Sequence, residues 1–140
     1  KNIGVSNFEP RHLDEAREHL DAPIFANQVE THPMLQQTEL REYADEHDIE
    51  IVAYSPLARG DVFEVDVLGE IAEKYGVSEA QVSLAWLREN DVTAIPKATS
   101  EAHIRDNWES LSLELEEQDL ERIADLDRTR RKVDPGFAPW

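Results

Sequence analysis

Ile49-Glu50-Ile51-Val52-Ala53-Tyr54-Ser55-Pro56-Leu57 is the stretch on which the fold turns. From Ile49 to Tyr54 every residue except Glu50 is apolar, and Ile49, Ile51 and Val52 are β-branched. A run of this length without two-residue alternation predicts a strand buried on both faces, the pattern of a parallel sheet covered by helices. It stops at Ser55-Pro56, where proline withdraws a backbone donor, so the strand closes in a turn that carries a tyrosine and a serine.

Working outward, the same unit of strand, loop and helix recurs. Upstream, a strand over Ile24 to Val29 precedes a helix from Gln36 to His47, in which Leu40, Tyr43, Ala44 and His47 fall at helical spacing. Before that, a strand over Ile3 to Val5 leads to a helix that starts at Pro10, a favoured first position, with Leu13, Ala16, Arg17 and Leu20 on one stripe. Downstream, a polar loop is followed by two helices. One runs from Val67 to Tyr75 and ends at Gly76; the other runs from Ser78 to Glu89, with Ser78 and Gln81 placed as a capping box. A fourth strand, Val92 to Ile95, leads to helices over Glu101 to Leu111 and Glu116 to Asp127, and the segment beyond Arg128 reads as a tail.

Four such units define an α/β fold with a parallel sheet. They amount to half of an eight-unit barrel, whose usual length is about 250 residues, so the expectation is the C-terminal half of a TIM (β/α)8 barrel with an extra helix and tail. The competing open doubly wound sheet lacks its phosphate cradle here, because no Gly-x-Gly-x-x-Gly turn follows the first strand. With no linker or low-complexity stretch, residues 1–140 read as one partial barrel domain. The chain opens at Lys1 directly into a strand, which predicts a fragment without its N-terminal half.

Fourteen basic and thirty-one acidic residues leave a net charge of −17, a surface that repels phosphate chains and argues against nucleic acid as a partner. The acids are spread over the helices, which points to a salt-adapted, halophilic surface. No cysteine is present, so disulfides and thiolate metal sites are excluded. No apolar run is long enough to span a membrane, and a cytoplasmic location is expected.

In parallel α/β folds the ligand lies beyond the carboxyl ends of the strands, and those ends are polar here. They read Ser6-Asn7-Phe8, Asn27-Gln28 with Glu30, Tyr54-Ser55, and Pro96-Lys97. Amide groups, one flat aromatic and one cation suit a flat amide-bearing ring joined to phosphates. On chemistry alone each residue could equally be a satisfied strand-end or turn residue.

Five motifs carry a more specific resemblance: Gly4-Val5-Ser6-Asn7-Phe8, Asn27-Gln28-Val29-Glu30, His32-Pro33, Ala53-Tyr54-Ser55-Pro56-Leu57 and Ile95-Pro96-Lys97. In this order and spacing the whole chain resembles the aldo-keto reductases, from the fifth barrel strand through the eighth and the closing helix. The resemblance implies that Ser6, Asn7 and Gln28 bind the nicotinamide carboxamide and that Tyr54 stacks on the ring. It places Ser55 and Leu57 at the pyrophosphate, Lys97 at the adenosine 2′-phosphate and Asn107 facing the adenine. Ala98 stands where a serine is frequent and His103 where an arginine often flanks the 2′-phosphate, so NADP(H) is the implied cofactor with NAD(H) still open.

His32 belongs, by the same resemblance, to a structural His-Pro turn and not to the chemistry. The Asp, Tyr, Lys and His of the family's proton relay lie on the first four strands, outside this chain, so no catalytic residue is assigned and the chain alone is expected to be inactive. Aromatic Phe137 and Trp140 are candidates to line a pocket for a small carbonyl substrate. The implied function is reduction of aldehydes or ketones to alcohols by the parent enzyme; a non-catalytic NADPH-binding regulatory subunit is the alternative. The two sheet edges, at the first and fourth strands, are expected to meet either the N-terminal half or a second copy.

Overall fold

The computed structural model describes residues 1–126 and 129–136. Four parallel strands, β1 (Ile3–Ser6), β2 (Ile24–Glu30), β3 (Glu50–Tyr54) and β4 (Val92–Ala94), lie side by side in chain order. Helix α1 (Pro10–His19) joins β1 to β2, α2 (Thr38–Glu46) joins β2 to β3, and the pair α3 (Asp66–Tyr75) and α4 (Glu79–Glu89) joins β3 to β4. Helices α5 (Glu101–Glu109) and α6 (Glu117–Ala124) follow, so the expected repetition of strand and helix is present throughout. Among the described residues no helix is long and apolar enough to cross a membrane.

The core lies between the sheet and its helices, where Leu13, Val29, Leu40, Ala44, Ile51, Ala53 and Trp86 pack in one cluster. Helix α4 is its centre: every residue from Ala80 to Leu87 is buried, the signature of a helix enclosed on all sides. Gly76 ends α3 at φ 68°, and the N–H groups of Gly76 and Val77 reach back to the carbonyls of Glu73 and Ala72 at 3.2 and 3.0 Å. Only glycine takes that left-handed position without a Cβ penalty, which is why the helix stops where the sequence indicates.

Several expectations change in detail. Strand β3 is buried on one face only: Ile51 and Ala53 join the core cluster, while Val52 and Tyr54 are half-buried on the opposite face. The capping box of α4 is half made. Ser78 Oγ accepts the Gln81 N–H at 3.1 Å, but the Gln81 side chain donates to Asp106 Oδ1 at 2.7 Å instead of returning to Ser78. Leu20 leaves the stripe of α1, because the helix ends at His19 and Leu20 is extended. The loop after β3 is a 3-10 segment, Ala58–Glu64, kinked at Arg59 and Gly60, and it buries Ala58 and Val62.

The segment read as a tail is docked. Arg130 N–H donates to the Met34 carbonyl at 2.9 Å, and the N–H groups of Lys132 and Val133 donate to Glu30 at 2.6 and 2.8 Å. It therefore lies over the carboxyl end of β2.

Candidate functional site

Parallel register brings the polar strand ends together: Ser6 pairs with Gln28 across β1 and β2, and Glu30 pairs with Tyr54 across β2 and β3. The Gln28 carbonyl accepts both the Ser6 hydroxyl and the Asn7 N–H, each at 2.9 Å. Asn7 turns the chain out of β1 at φ 59°, a left-handed geometry that asparagine tolerates better than most residues. Its Oδ1 accepts the Tyr54 hydroxyl at 2.9 Å. The Asn7 amide NH2 and the exposed Gln28 amide make no hydrogen bond among the described residues, so both are available to a ligand.

Tyr54 is held in one orientation by that bond. Burial raises its phenol above the ordinary tyrosine range, with the Glu30 charge adding to the effect and Arg131 opposing it, so the hydroxyl stays protonated and remains a donor to Asn7. The chain then enters a tight turn in which Ser55 (φ 48°), Ala58 (φ 47°), Arg59 (φ 55°) and Gly60 (φ 105°) are left-handed. Each non-glycine position of this kind costs about 1–2 kcal/mol and is retained where the surroundings over-determine it. Here Ala58 N–H closes onto the Ser55 carbonyl and Gly60 N–H onto the Leu57 carbonyl, both at 2.8 Å, and Ser83 Oγ holds the Pro56 carbonyl at 2.8 Å.

Asn27, named among the polar strand ends without a role of its own, builds this corner. It is fully buried, its Nδ2 donates to the Phe8 carbonyl at 2.8 Å and its Oδ1 accepts the Phe8 N–H at 3.3 Å. A polar residue inside an apolar strand was the available signal.

Lys97, His103 and Asn107 form a second group beyond β4. Lys97 and His103 are exposed, Asn107 is half-buried, and His103 and Asn107 share a face of α5, one turn apart. No hydrogen bond or ion pair among the described residues joins this group to Ser6, Asn7, Gln28 and Tyr54. Phe137 and Trp140 lie outside the described residues.

A concavity of about 750 Å³ runs between β4 and α5 and is lined by Val92, Ala94, Pro96, Ile104, Trp108 and Leu111 among others. It touches Asn107 and Ala98 but none of the other candidates, and its chemistry is that of an uncovered sheet edge. A smaller groove of about 610 Å³ opens beside Asn7 and Phe8 and is bounded by Gln37 and Arg131.

His32 is fully buried, with Nε2 3.0 Å from Glu30 Oε1 and Nδ1 without a hydrogen-bond partner among the described residues, which accords with a structural turn. Burial alone would raise the Glu30 carboxyl. The hydrogen bonds from His32 and from the Lys132 and Val133 N–H groups outweigh it and hold the group below its ordinary value. With Glu30 ionised, the His32 Nε2 carries the shared hydrogen.

Parallel strand-helix units with polar groups gathered at the strand carboxyl ends define a partial (β/α) barrel, which takes its ligands at that face. The chain belongs to the aldo/keto reductase family, whose model matches residues 1–128. It is 40% identical over 132 residues to the 9,11-endoperoxide prostaglandin H2 reductase of Trypanosoma cruzi, covering 92% of this chain and 47% of that protein. It is 40% identical over 129 residues to the glyoxal reductase of Bacillus subtilis, again covering 92% and 47%. A crystal structure of a silkworm (Bombyx mori) aldo-keto reductase complexed with NADPH superposes with a TM-score of 0.86 at 27% identity, over 95% of this chain and 44% of that one. The chain thus spans about half the length of the curated relatives it matches.

Proposed function

We propose that the protein carrying this chain reduces the carbonyl of a small aldehyde or ketone to an alcohol with NADPH, and that this chain supplies the dinucleotide seat. The observation that carries the reading is the fixed Tyr54 ring beside the Asn7 NH2 and the Gln28 amide, at the carboxyl ends of adjacent strands. When bound, the dinucleotide supplies the hydride; everything else assigned to this chain is binding and orientation.

In this reading Asn7 and Gln28, with the Ser6 hydroxyl, hold the nicotinamide carboxamide and so fix which ring face is presented. Tyr54 supports the opposite face. Ser55 and Leu57 sit against the pyrophosphate, in the turn that begins with left-handed Ser55. Lys97 and His103 face the 2′-phosphate, and Asn107 the adenine. Lys97 Nζ makes no ion pair among the described residues, so its charge is available to an anion. NAD(H) remains compatible with the Ala98 and His103 positions.

The test is a titration of the intact protein with NADPH, followed by quenching of tryptophan emission, for unaltered protein and Tyr54→Ala. Saturable binding that Tyr54→Ala weakens at least tenfold supports the seat. Equal binding by both removes Tyr54 from it.

A further inference from the structure

Asn7 is the first residue beyond β1, and β2 pins the chain on both sides of it. Its own N–H donates to the Gln28 carbonyl at 2.9 Å, as a strand residue would. One residue later a side chain takes over from the backbone: Asn27 Nδ2 donates to the Phe8 carbonyl at 2.8 Å, and Asn27 Oδ1 accepts the Phe8 N–H at 3.3 Å. A carboxamide offers the same donor and acceptor as a peptide group, so Asn27 acts as one more rung of the sheet. No other hydrogen bond reaches either Phe8 group among the described residues.

Asn27 does this from behind the site. Side chains alternate between the faces of a strand, and in β2 Asn27 and Val29 are buried while Gln28 between them is exposed. Asn27 is fully buried, so it touches no ligand held by Gln28. Asparagine is depleted in strands and its amide is costly to bury without partners; both of its polar atoms are spent on Phe8. Between the two fastenings Asn7 stands at φ 59°, a left-handed geometry that persists in a residue with a side chain where its surroundings over-determine it. In that geometry Asn7 Oδ1 meets the Tyr54 hydroxyl at 2.9 Å.

We propose that Asn27 is a positioning residue for the nicotinamide: by clamping Phe8 it holds Asn7 in the left-handed turn from which one amide serves both Tyr54 and the ring's carboxamide. The proposal rests on the dinucleotide reading above. Without the clamp, Asn7 is free to relax toward negative φ and carry its amide away from Tyr54, so the nicotinamide loses its orienting bonds. The groups assigned to the rest of the dinucleotide, Ser55, Leu57, Lys97 and Asn107, follow β3 and β4 and make no bond to Phe8.

The test is titration of the intact protein with two ligands, NADPH and 2′-phospho-ADP-ribose, which keeps every part of the dinucleotide except the nicotinamide. Asn27→Ala should weaken NADPH about tenfold and leave 2′-phospho-ADP-ribose within about twofold. Asn27→Thr, which suits a strand and keeps one hydroxyl, should weaken NADPH by less and with the same selectivity. In Asn7→Gly, where the amide is gone and the turn carries no strain, adding Asn27→Ala should change NADPH affinity by less than about twofold. Equal weakening of both ligands, a full additional loss in the Asn7→Gly protein, or failure of both Asn27 variants to fold makes Asn27 a residue of the fold alone and overturns the proposal. Unchanged NADPH affinity in the folded variants overturns it as well. If the unaltered protein binds neither ligand, the dinucleotide reading itself falls, and the role of Asn27 falls with it.

Discussion

At the scale of the residue, the role proposed for Lys97 is to tell apart two dinucleotides that differ by one phosphate. Lys97 is exposed and follows a strand, so its ammonium can offer a charge-assisted hydrogen bond worth about 1.5–3 kcal/mol. Lys97→Ala should therefore weaken NADPH about tenfold to a hundredfold while leaving NADH within about twofold, as measured by parallel titrations. His103→Ala should add a smaller loss. Equal weakening of both dinucleotides would assign Lys97 to the fold or the shared pyrophosphate. Ser6, Asn7, Gln28, Tyr54 and Ser55 stand out in the sequence as polar or aromatic groups near strand ends, which is a local signal, but their roles and those of Leu57 and Lys97 come only from the family resemblance. The clamp of Asn27 on Phe8 was not legible there, because the pairing spans 19 positions and exists only once β1 and β2 lie side by side.

At the scale of the element, Asp119 fastens α6 to α3. It is buried, and it accepts Lys74 Nζ at 2.7 Å and the Tyr75 hydroxyl at 2.8 Å. Burial pushes its carboxyl upward, but the bonds from Lys74 and Tyr75 prevail and hold it below the ordinary aspartate range. A depressed carboxyl stabilises the fold at pH above its unfolded value of about 3.9, and that contribution is lost as pH falls through the folded value. Asp119→Asn should lower stability by about 1–3 kcal/mol near pH 7 and by progressively less below about pH 4, in denaturant melts taken across that range. Equal loss at every pH would mean that the charge of Asp119 plays no part. Ser78→Ala should cost about 1 kcal/mol or slightly more, because the same hydroxyl caps α4 and donates to Asp106 at 2.7 Å. Element positions were legible in the sequence, since apolar periodicity, Pro10, Ser78 and Gly76 are all local. What was not legible was sidedness: Ile51, Val52 and Ala53 are equally apolar, and only the arc of the sheet decides that Val52 is left half-covered. The polar loop after β3 misled for the same reason, since Ala58 and Val62 are buried by tertiary packing that periodicity does not report.

At the scale of the whole molecule, two features act together: uncovered sheet edges and a large negative charge. Beside β4 the side chains of Ile104, Trp108 and Leu111 are exposed along an apolar groove, and Ile95 is exposed just after the strand. Such a surface favours association, and the 140-residue chain expressed by itself should sediment as a dimer or larger species at micromolar concentration, with Trp108→Glu shifting it toward monomer. A net charge of −17 opposes both association and compaction. Salt screens that repulsion over about 10 Å at 0.1 M and about 3 Å at 1 M. It also weakens favourable pairs such as Lys74–Glu116 and Arg105–Glu101, but exposed pairs of this kind are worth about 0–1 kcal/mol each, and acids outnumber bases by 31 to 14. Repulsion is therefore the larger quantity removed. The melting midpoint should rise on going from about 0.1 M to about 1 M KCl, and chloride is preferred to sulfate because sulfate also strengthens apolar burial. Run on the Trp108→Glu variant, the same melt separates screening from association: a rise that persists there belongs to the charge, one that vanishes belongs to the uncovered edge, and a midpoint that never moves removes salt adaptation from the account of this surface.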